Sequence, residues 1–354
     1  MRHKNHKLVF AIGLSSLSFL TILLFTIFSC RKRKQKELEW NDLESNTKRD
    51  SSANSKDFIK FEGCAGLSLH EILDAPGEVI GKSSYGTLYR ASLLDSNSLA
   101  VLRFLRPSCA LGTKEVLPIV NMFGCMKHPN LVPLNAFYAG PRGEKLMVHP
   151  FYECGNLSQF IRVGNGKARE WPVIHKISIG ITLAIQHLHS SLGKPLPHGN
   201  LKSNNVLLDR HYRPYVSDFG LHLLLSPTAA QQMLEASASQ GYTAPELLKM
   251  RDVCMETDMY ALGVIFLELL IGKLAADENS GQARDFELRS VILKRRITDW
   301  YRWDMLVGLS GDERAVVEDQ VLKYFQLAIA CCSPSRLVRP DIGRVLEKLQ
   351  ELGR

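Results

Sequence analysis

The spacing of the apolar residues changes near residue 150, and that change most constrains the fold. Before it, "GEVIGKSSYGTLYRASLL" reads as two short strand-like runs around a Gly/Ser turn. "SLAVLRFL" and "KLMVHPFY" add two further strands rich in β-branched and aromatic residues. Between them, "KEVLPIVNMFGCMK" has helical spacing and places Val116, Ile119, Val120 and Phe123 on one face. Pro118 inside that run predicts a helix that starts near it. After residue 156 helices dominate. "WPVIHKISIGITLAIQHLHSSL" puts Ile174, Ile177, Ile181, Ile185 and Leu188 on one stripe. "TDMYALGVIFLELLIGK" is apolar nearly all round, as a buried central helix requires. The expectation is a two-lobed α+β body over 62–354, with a small β-rich lobe over about 62–150 and a larger helical lobe over about 155–354.

The N-terminus is different. Residues 8–30, "LVFAIGLSSLSFLTILLFTIFSC", carry no charge, and about 20 apolar residues span a bilayer as a helix. A cleaved signal peptide has an apolar region of only about 7–15 residues and a small-residue cleavage site. Here the run is longer and a basic cluster stops it. The expectation is a short tail over 1–7, then a transmembrane helix over 8–30, then a basic and polar juxtamembrane linker over 31–61. Three Lys/Arg precede the helix and five follow it, a bias that places the C-terminal side in the cytosol. The net charge of +8 lies within the first 36 residues, which contain no acid. The body is near neutral, so nothing points to a nucleic-acid partner. The cluster Arg31–Lys36 should instead lie against anionic headgroups. Eight cysteines form no C-x-x-C pair and fit no zinc site, so they read as reduced thiols. Cys30, at the membrane edge, is open to S-acylation or remains unmodified.

The motifs of the body, in order, are "GKSSYGTLY", "AVLR", "HPNLVPLNAFY", "HGNLKSNNVLLD", "SDFGL", "TAPEL" and "RLVRPD". Together they resemble the protein kinase family over about residues 70–350, in the flavour of plant receptor-like kinases. The signature set is a Gly-rich loop, a strand lysine, HRD…N, DFG and APE. The resemblance implies the two-lobed kinase fold behind one transmembrane helix, with ATP and Mg²⁺ as cofactors.

The departures matter as much as the matches. Gly81 and Gly86 stand at the first and third glycines of the phosphate loop, and Ser83 at the second. The resemblance puts Arg103 in place of the nucleotide-holding lysine; a shift of one residue would put Leu102 there. Arginine keeps the charge but is a longer planar fork. The paired glutamate falls at Ile119, nine residues before His128, with Glu115 one turn earlier. In "HGN", Asn200 replaces the Asp that accepts the substrate proton, and Gly199 replaces the arginine that grips a phosphorylated activation loop. An amide is no useful base, though it can still hydrogen-bond a hydroxyl.

Other positions are kept. Lys202 stands where the γ-phosphate would be met. Asn205 and Asp218 stand where Mg²⁺ would be held. Pro150 offers a carbonyl and Tyr152 an N–H to an adenine at the hinge, next to His149 near the gatekeeper position. Glu246 with Arg339, and Asp258 capping the catalytic loop, are the implied structural elements. The segment between Asp218 and Glu246, with Ser226, Thr228, Ser237, Ser239 and Thr243, reads as a polar loop or as a target of another kinase.

Two functions stay open. One is a membrane-anchored pseudokinase, a scaffold or allosteric partner of other receptor-like kinases or signalling proteins that binds ATP without efficient phosphoryl transfer. The other is a weakly active Ser/Thr kinase. A ligand-sensing receptor is disfavoured, because only about seven residues precede the apolar run. Either surviving reading implies a single-pass protein of the plasma membrane with a cytoplasmic kinase-like domain.

Overall fold

A computed structural model describes residues 58–353 apart from 63, 65, 94–96, 164–169, 191–194, 248–252 and 273–308. The segment 8–30 and the cluster 31–36 lie outside the described residues. Among the described residues no helix is long and apolar enough to cross a membrane.

Strand-spaced sequence forms one antiparallel sheet. Its strands are β1 (Phe58–Lys60), β2 (Gly77–Lys82), β3 (Gly86–Leu93), β4 (Ser98–Leu105), β5 (Ala136–Ala139) and β6 (Lys145–Pro150), in the order β1-β5-β6-β4-β3-β2. β1 falls on residues that the composition assigns to the linker. It pairs with β5, and the Phe61 ring that follows lies on Gly124, where any added Cβ would collide with it. The body therefore begins before residue 62.

β4 is central, flanked by β3 and β6, with Arg103 opposite Leu88 and Met147. Neighbouring residues of a strand face opposite sides. Leu102 is buried in an apolar cluster with Ala91, Ala100 and Leu146. Arg103 therefore faces the other way, into the cleft.

The helix α1 (Leu69–Asp74) precedes the sheet's first hairpin, and α2 (Thr113–Cys125) crosses beside the sheet. α2 starts five residues before Pro118, so the proline does not open it. Glu115 accepts the Gly112 N–H at 3.0 Å and caps the first turn. The missing proline N–H costs only one bond near the start of an otherwise apolar-faced helix. Val116, Val120 and Phe123 are buried as the spacing predicts.

The helical lobe contains α3 (Leu157–Val163), α4 (Trp171–Ser190), the hairpin β7 (Val206–Leu208) and β8 (Pro214–Val216), α5 (Pro227–Ser239), α6 (Met255–Ile271), α7 (Gly311–Cys331) and α8 (Ile342–Leu352). The isoleucine stripe of α4 is fully buried, and α6 is buried on almost every side. Buried polar groups on these helices are paired, as burial demands: Ser178 and Tyr324 hydroxyls lie 2.7 Å apart. Arg339 holds Glu246 through its two terminal guanidinium nitrogens, Nη1 and Nη2, at 2.5 and 2.8 Å. All seven cysteines of the described residues are free thiols. The apolar core runs without interruption from Leu105, Phe123 and Met147 of the small lobe to Phe219, Leu221 and Leu224 of the large one.

Candidate functional site

The site lies between the lobes, and its floor is the loop before β7. Asp258, near the start of α6, organises that loop. Its carboxylate accepts the N–H groups of His198 at 2.6 Å and Gly199 at 2.9 Å, and meets His189 Nε2 at 2.9 Å. Gly199 has φ +76°, and an added Cβ would sit 2.4 Å from His222 Nδ1. An arginine cannot occupy that position without displacing His222. Burial pulls the His222 pKa down to about 4, so a neutral imidazole fills the space.

Asn200 is only 4% exposed. Its carbonyl accepts the Asn205 amide at 2.8 Å, and its side-chain oxygen accepts the Ser237 hydroxyl at 2.8 Å. Ser237 comes from α5, which replaces the polar loop expected for this segment. The local reason is readable afterwards. Ser226 accepts the Ala229 N–H as N-cap, Pro227 opens the first turn, and "PTAAQQMLEASAS" is alanine-rich. Ala229, Met233, Leu234 and Ser237 form its buried side. That face carries Ser237 onto Asn200. Just past the helix, the Gln240 amide oxygen accepts from Lys202 Nζ at 3.3 Å. Burial lowers the Lys202 pKa, and the nearby Asp218 charge opposes the effect.

The roof is built from β2, β3 and β4. Arg103 bonds Asp218 across 115 residues of chain, with Nη2 2.5 Å from Oδ1. The two side chains are 8% and 13% exposed. Asp218 holds the left-handed conformation at φ +63°. Tyr85, from the turn between β2 and β3, is buried beside this pair, and burial raises its pKa. Ser83 closes the turn on itself: its hydroxyl accepts the Gly86 N–H at 3.1 Å, and its own N–H donates to the Gly86 carbonyl at 2.9 Å. Gly86 is needed because an added Cβ would lie 2.4 Å from the Phe104 carbonyl. Sheet packing, not a phosphate, demands that glycine. Ile119 packs against the apolar core, as its type suggested. Glu115 is taken by its cap and makes no compensating pair among the described residues.

The outer end of the cleft is open. A cavity of about 450 Å³ is lined by apolar residues such as Leu88, Val101 and Leu207, by the hinge residues Pro150 and Tyr152, and by the polar Arg103, Asn205, Ser217 and Asp218. His149 accompanies them, its Nδ1 2.9 Å from the Pro133 carbonyl, and burial pulls its pKa down to about 4. The Tyr152 ring lies 4.4 Å from that of Tyr215.

Comparison with known proteins decides the family. The protein kinase domain profile matches residues 75–346. This chain belongs to the protein kinase family. Its curated homologues are plant receptor-like kinases. It is 32% identical over 351 residues to the putative kinase-like protein TMKL1 of Arabidopsis thaliana, covering 96% of this chain and 51% of that protein. It is 34% identical over 293 residues to a probable inactive receptor kinase of the same plant, covering 81% and 43%. The chain thus spans about half the length of these relatives. Among solved structures, the kinase domain of maize SIRK1, determined bound to AMP-PNP, matches with a TM-score of 0.72 at 28% identity, over 84% of this chain and all of that one. The pseudokinase domain of BIR2 matches with a TM-score of 0.67 at 23% identity, over 86% and 92%, and shows the shared fold.

In a kinase-family cleft the sequence positions fall where the motifs put them, but their side chains are committed elsewhere. Arg103 holds Asp218 instead of a phosphate. The Asn205 side-chain amide holds the Asn200 carbonyl, and the Asn205 carbonyl accepts the Ser217 N–H at 2.8 Å. Lys202 holds Gln240. Gly81 and Gly86 shape a hairpin closed by Ser83. The Arg103–Asp218 ion pair would have to open before these residues could hold Mg²⁺ and a triphosphate. Among the described residues no group of three His, Cys, Asp or Glu could hold a metal ion. Of the sequence-predicted site residues, Arg103, Pro150, Tyr152, Asn205 and Asp218 all line the cavity. The residues that sequence reasoning missed are Tyr85, His222, Ser237 and Gln240. Only the capped, alanine-rich run 226–239 carried a local signal, for the helix that brings Ser237 in.

Proposed function

We propose that this chain is a membrane-anchored receptor-like pseudokinase that signals by binding, as scaffold or allosteric partner of other receptor-like kinases or signalling proteins. The observation that carries this reading is at Asn200. An amide stands where a base is needed, and a hydroxyl of the chain's own activation segment sits on it. A positioned base contributes about 10²–10⁴-fold to such reactions, and here the substrate's place beside it is also taken. A relative that is itself named a probable inactive receptor kinase supports the reading.

Residues 8–30 supply the anchor in this proposal, and Arg31–Lys36 the contact with anionic lipid. A weakly active Ser/Thr kinase is the second reading. It is favoured by the retained Lys202, Asn205 and Asp218, since phosphoryl transfer depends chiefly on positioning and charge. Incorporation of labelled phosphate into a generic acceptor protein tests the choice. The wild-type chain and Asn200→Asp should both give background signal, because the carboxylate restores neither an open Asp218 nor a free acceptor site. Magnesium-dependent transfer by the wild type would replace the first reading with the second.

A further inference from the structure

Away from the cleft, the helical lobe presents an exposed apolar face. Ten large apolar residues are exposed among the described residues, and four of them, Val316, Leu322, Leu337 and Val338, lie on α7 or in the 3-10 turn Arg336–Val338 after it. Leu337 is 87% exposed and Val338 66%. Between the turn and α7 lies a groove of about 370 Å³, lined by Phe325, Gln326, Ile329, Ala330, Ser333 and Val338. The residues that hold α7 to the lobe, Val321, Tyr324 and Ala328, are on its other side and buried. Apolar surface gathered in one place on a soluble domain marks an interaction site.

The order of residues on this face selects the occupant. Leu322, Gln326 and Ile329 follow one another at helical spacing on one side of α7. Val316 lies before them, and Leu337 and Val338 lie beyond the other end. Read from either end, the face runs apolar tip, apolar side chain, Gln326. A two-fold axis through Gln326 would lay Leu322 on the Ile329 of a second copy, and Val316 on its Leu337, as an isologous contact requires. The charges select the same arrangement. Arg314 pairs with Glu318 at 3.1 Å and Lys323 with Asp319 at 2.6 Å. That leaves Asp312 and Glu313 at the front end of α7, and Arg336 at the far end, where its charge also lowers the pKa values of Glu246 and Glu256. A parallel pairing would set acid on acid, whereas an antiparallel one sets acid against Arg336. The same acids oppose contact with anionic headgroups. We infer that α7 and the turn after it bind a second copy of this chain, antiparallel, about a two-fold axis at Gln326. The 21 residues of α7 span about 32 Å, so the contact is small and the dimer reversible. The inference does not depend on the reading of the cleft, because none of these residues lines it.

The test is sedimentation equilibrium of the full-length chain in detergent micelles. The wild type should form a dimer with a Kd of about 1–100 μM. Leu322→Asp and Leu337→Asp should each weaken it at least about tenfold, because each would bury an unpaired charge in the contact. Unchanged melting temperatures show that the variants fold. If Leu322→Asp does not, Leu337→Asp carries the test, at the more exposed of the two side chains. Gln326→Cys, on the axis, should cross-link through a short bis-maleimide well above the wild-type background from the exposed Cys125 and Cys154. Val163→Cys, exposed on α3, should stay at that background. A wild-type chain that is monomeric at about 100 μM overturns the inference, whatever other protein it then binds. So does a dimer that neither aspartate weakens, which would place the contact elsewhere, in the apolar run 8–30 for example. So does a monomeric chain whose adsorption to vesicles with phosphatidylserine is lost in Leu337→Asp, which would assign the face to lipid. Equal cross-linking at Gln326→Cys and Val163→Cys would overturn the two-fold arrangement. Phosphoryl transfer enters none of these readouts, so the reading of the cleft stands or falls separately.

Discussion

Arg103 shows how one substitution reassigns a site. A lysine ammonium is a compact point charge, whereas a guanidinium is a long, planar fork suited to carboxylates. From the middle of β4 that fork reaches Asp218 and holds it. Removing one partner of such a buried pair leaves an uncompensated charge, at a cost of about 3–5 kcal/mol, while replacing both with apolar residues can be nearly neutral. Arg103→Met should therefore destabilise the chain by about 3–5 kcal/mol, and Arg103→Met with Asp218→Leu by clearly less than the sum of the single changes. Urea denaturation of the four proteins of the cycle reads this directly. An additive cycle would mean that the pair contributes no coupling and that the inner cleft is held by Tyr85 packing alone.

At the scale of elements, α5 decides what the catalytic loop can meet. Its hydroxyl at Ser237 satisfies the buried Asn200 oxygen. Ser237→Ala should cost about 1–3 kcal/mol, the penalty for stranding a buried polar group. It should also speed proteolysis within 227–243 while leaving α4 and α6 protected. Equal protection in the variant and the wild type would show that the apolar side of α5, through Met233 and Leu234, suffices to hold it. This helix also marks the limit of what the sequence says. β4 falls on "SLAVLRFL" and α4 on the isoleucine stripe because a single periodicity dictates each burial pattern. Glu246–Arg339 and the Asp258 cap follow from motif positions. α5 was obscured because serines and threonines in the segment compete with the alanine signal. Pro118 hides the start of α2, which the Glu115 cap places at Thr113. Motif positions placed Arg103 and Asp218 at the site, but nothing local indicated that they would bind each other, or that Tyr85 would turn inward. Such pairings are set by tertiary geometry between residues far apart in the chain.

For the molecule as a whole, the buried histidines predict acid sensitivity. His149 in the small lobe and His222 in the large lobe are both pulled down to about 4 by burial. His198 is shifted the same way by burial, against the opposing charges of Asp258 and Asp218. A histidine with a folded pKa below its unfolded value near 6.5 binds its proton first in the unfolded chain. Falling pH therefore favours unfolding from about 6.5 down to about 4, below which the two states no longer differ at that group. Between pH 7.5 and 5 each of the two should remove about 2 kcal/mol of stability. Glu246 adds to the loss at lower pH. Burial raises its pKa, but hydrogen bonds and charge from Arg339 outweigh that and hold it below the ordinary value, so its contribution fades as it protonates. His222→Leu removes one of these groups and should flatten the pH 7.5 to 5 difference by about 2 kcal/mol, whatever it does to stability at neutral pH. Denaturant midpoints of wild type and variant across that range measure the change in slope. Parallel profiles would mean that His222 is protonated inside the fold, with Asp258 supplying its counter-charge. The neutral imidazole would then not be what fills the space beside Gly199.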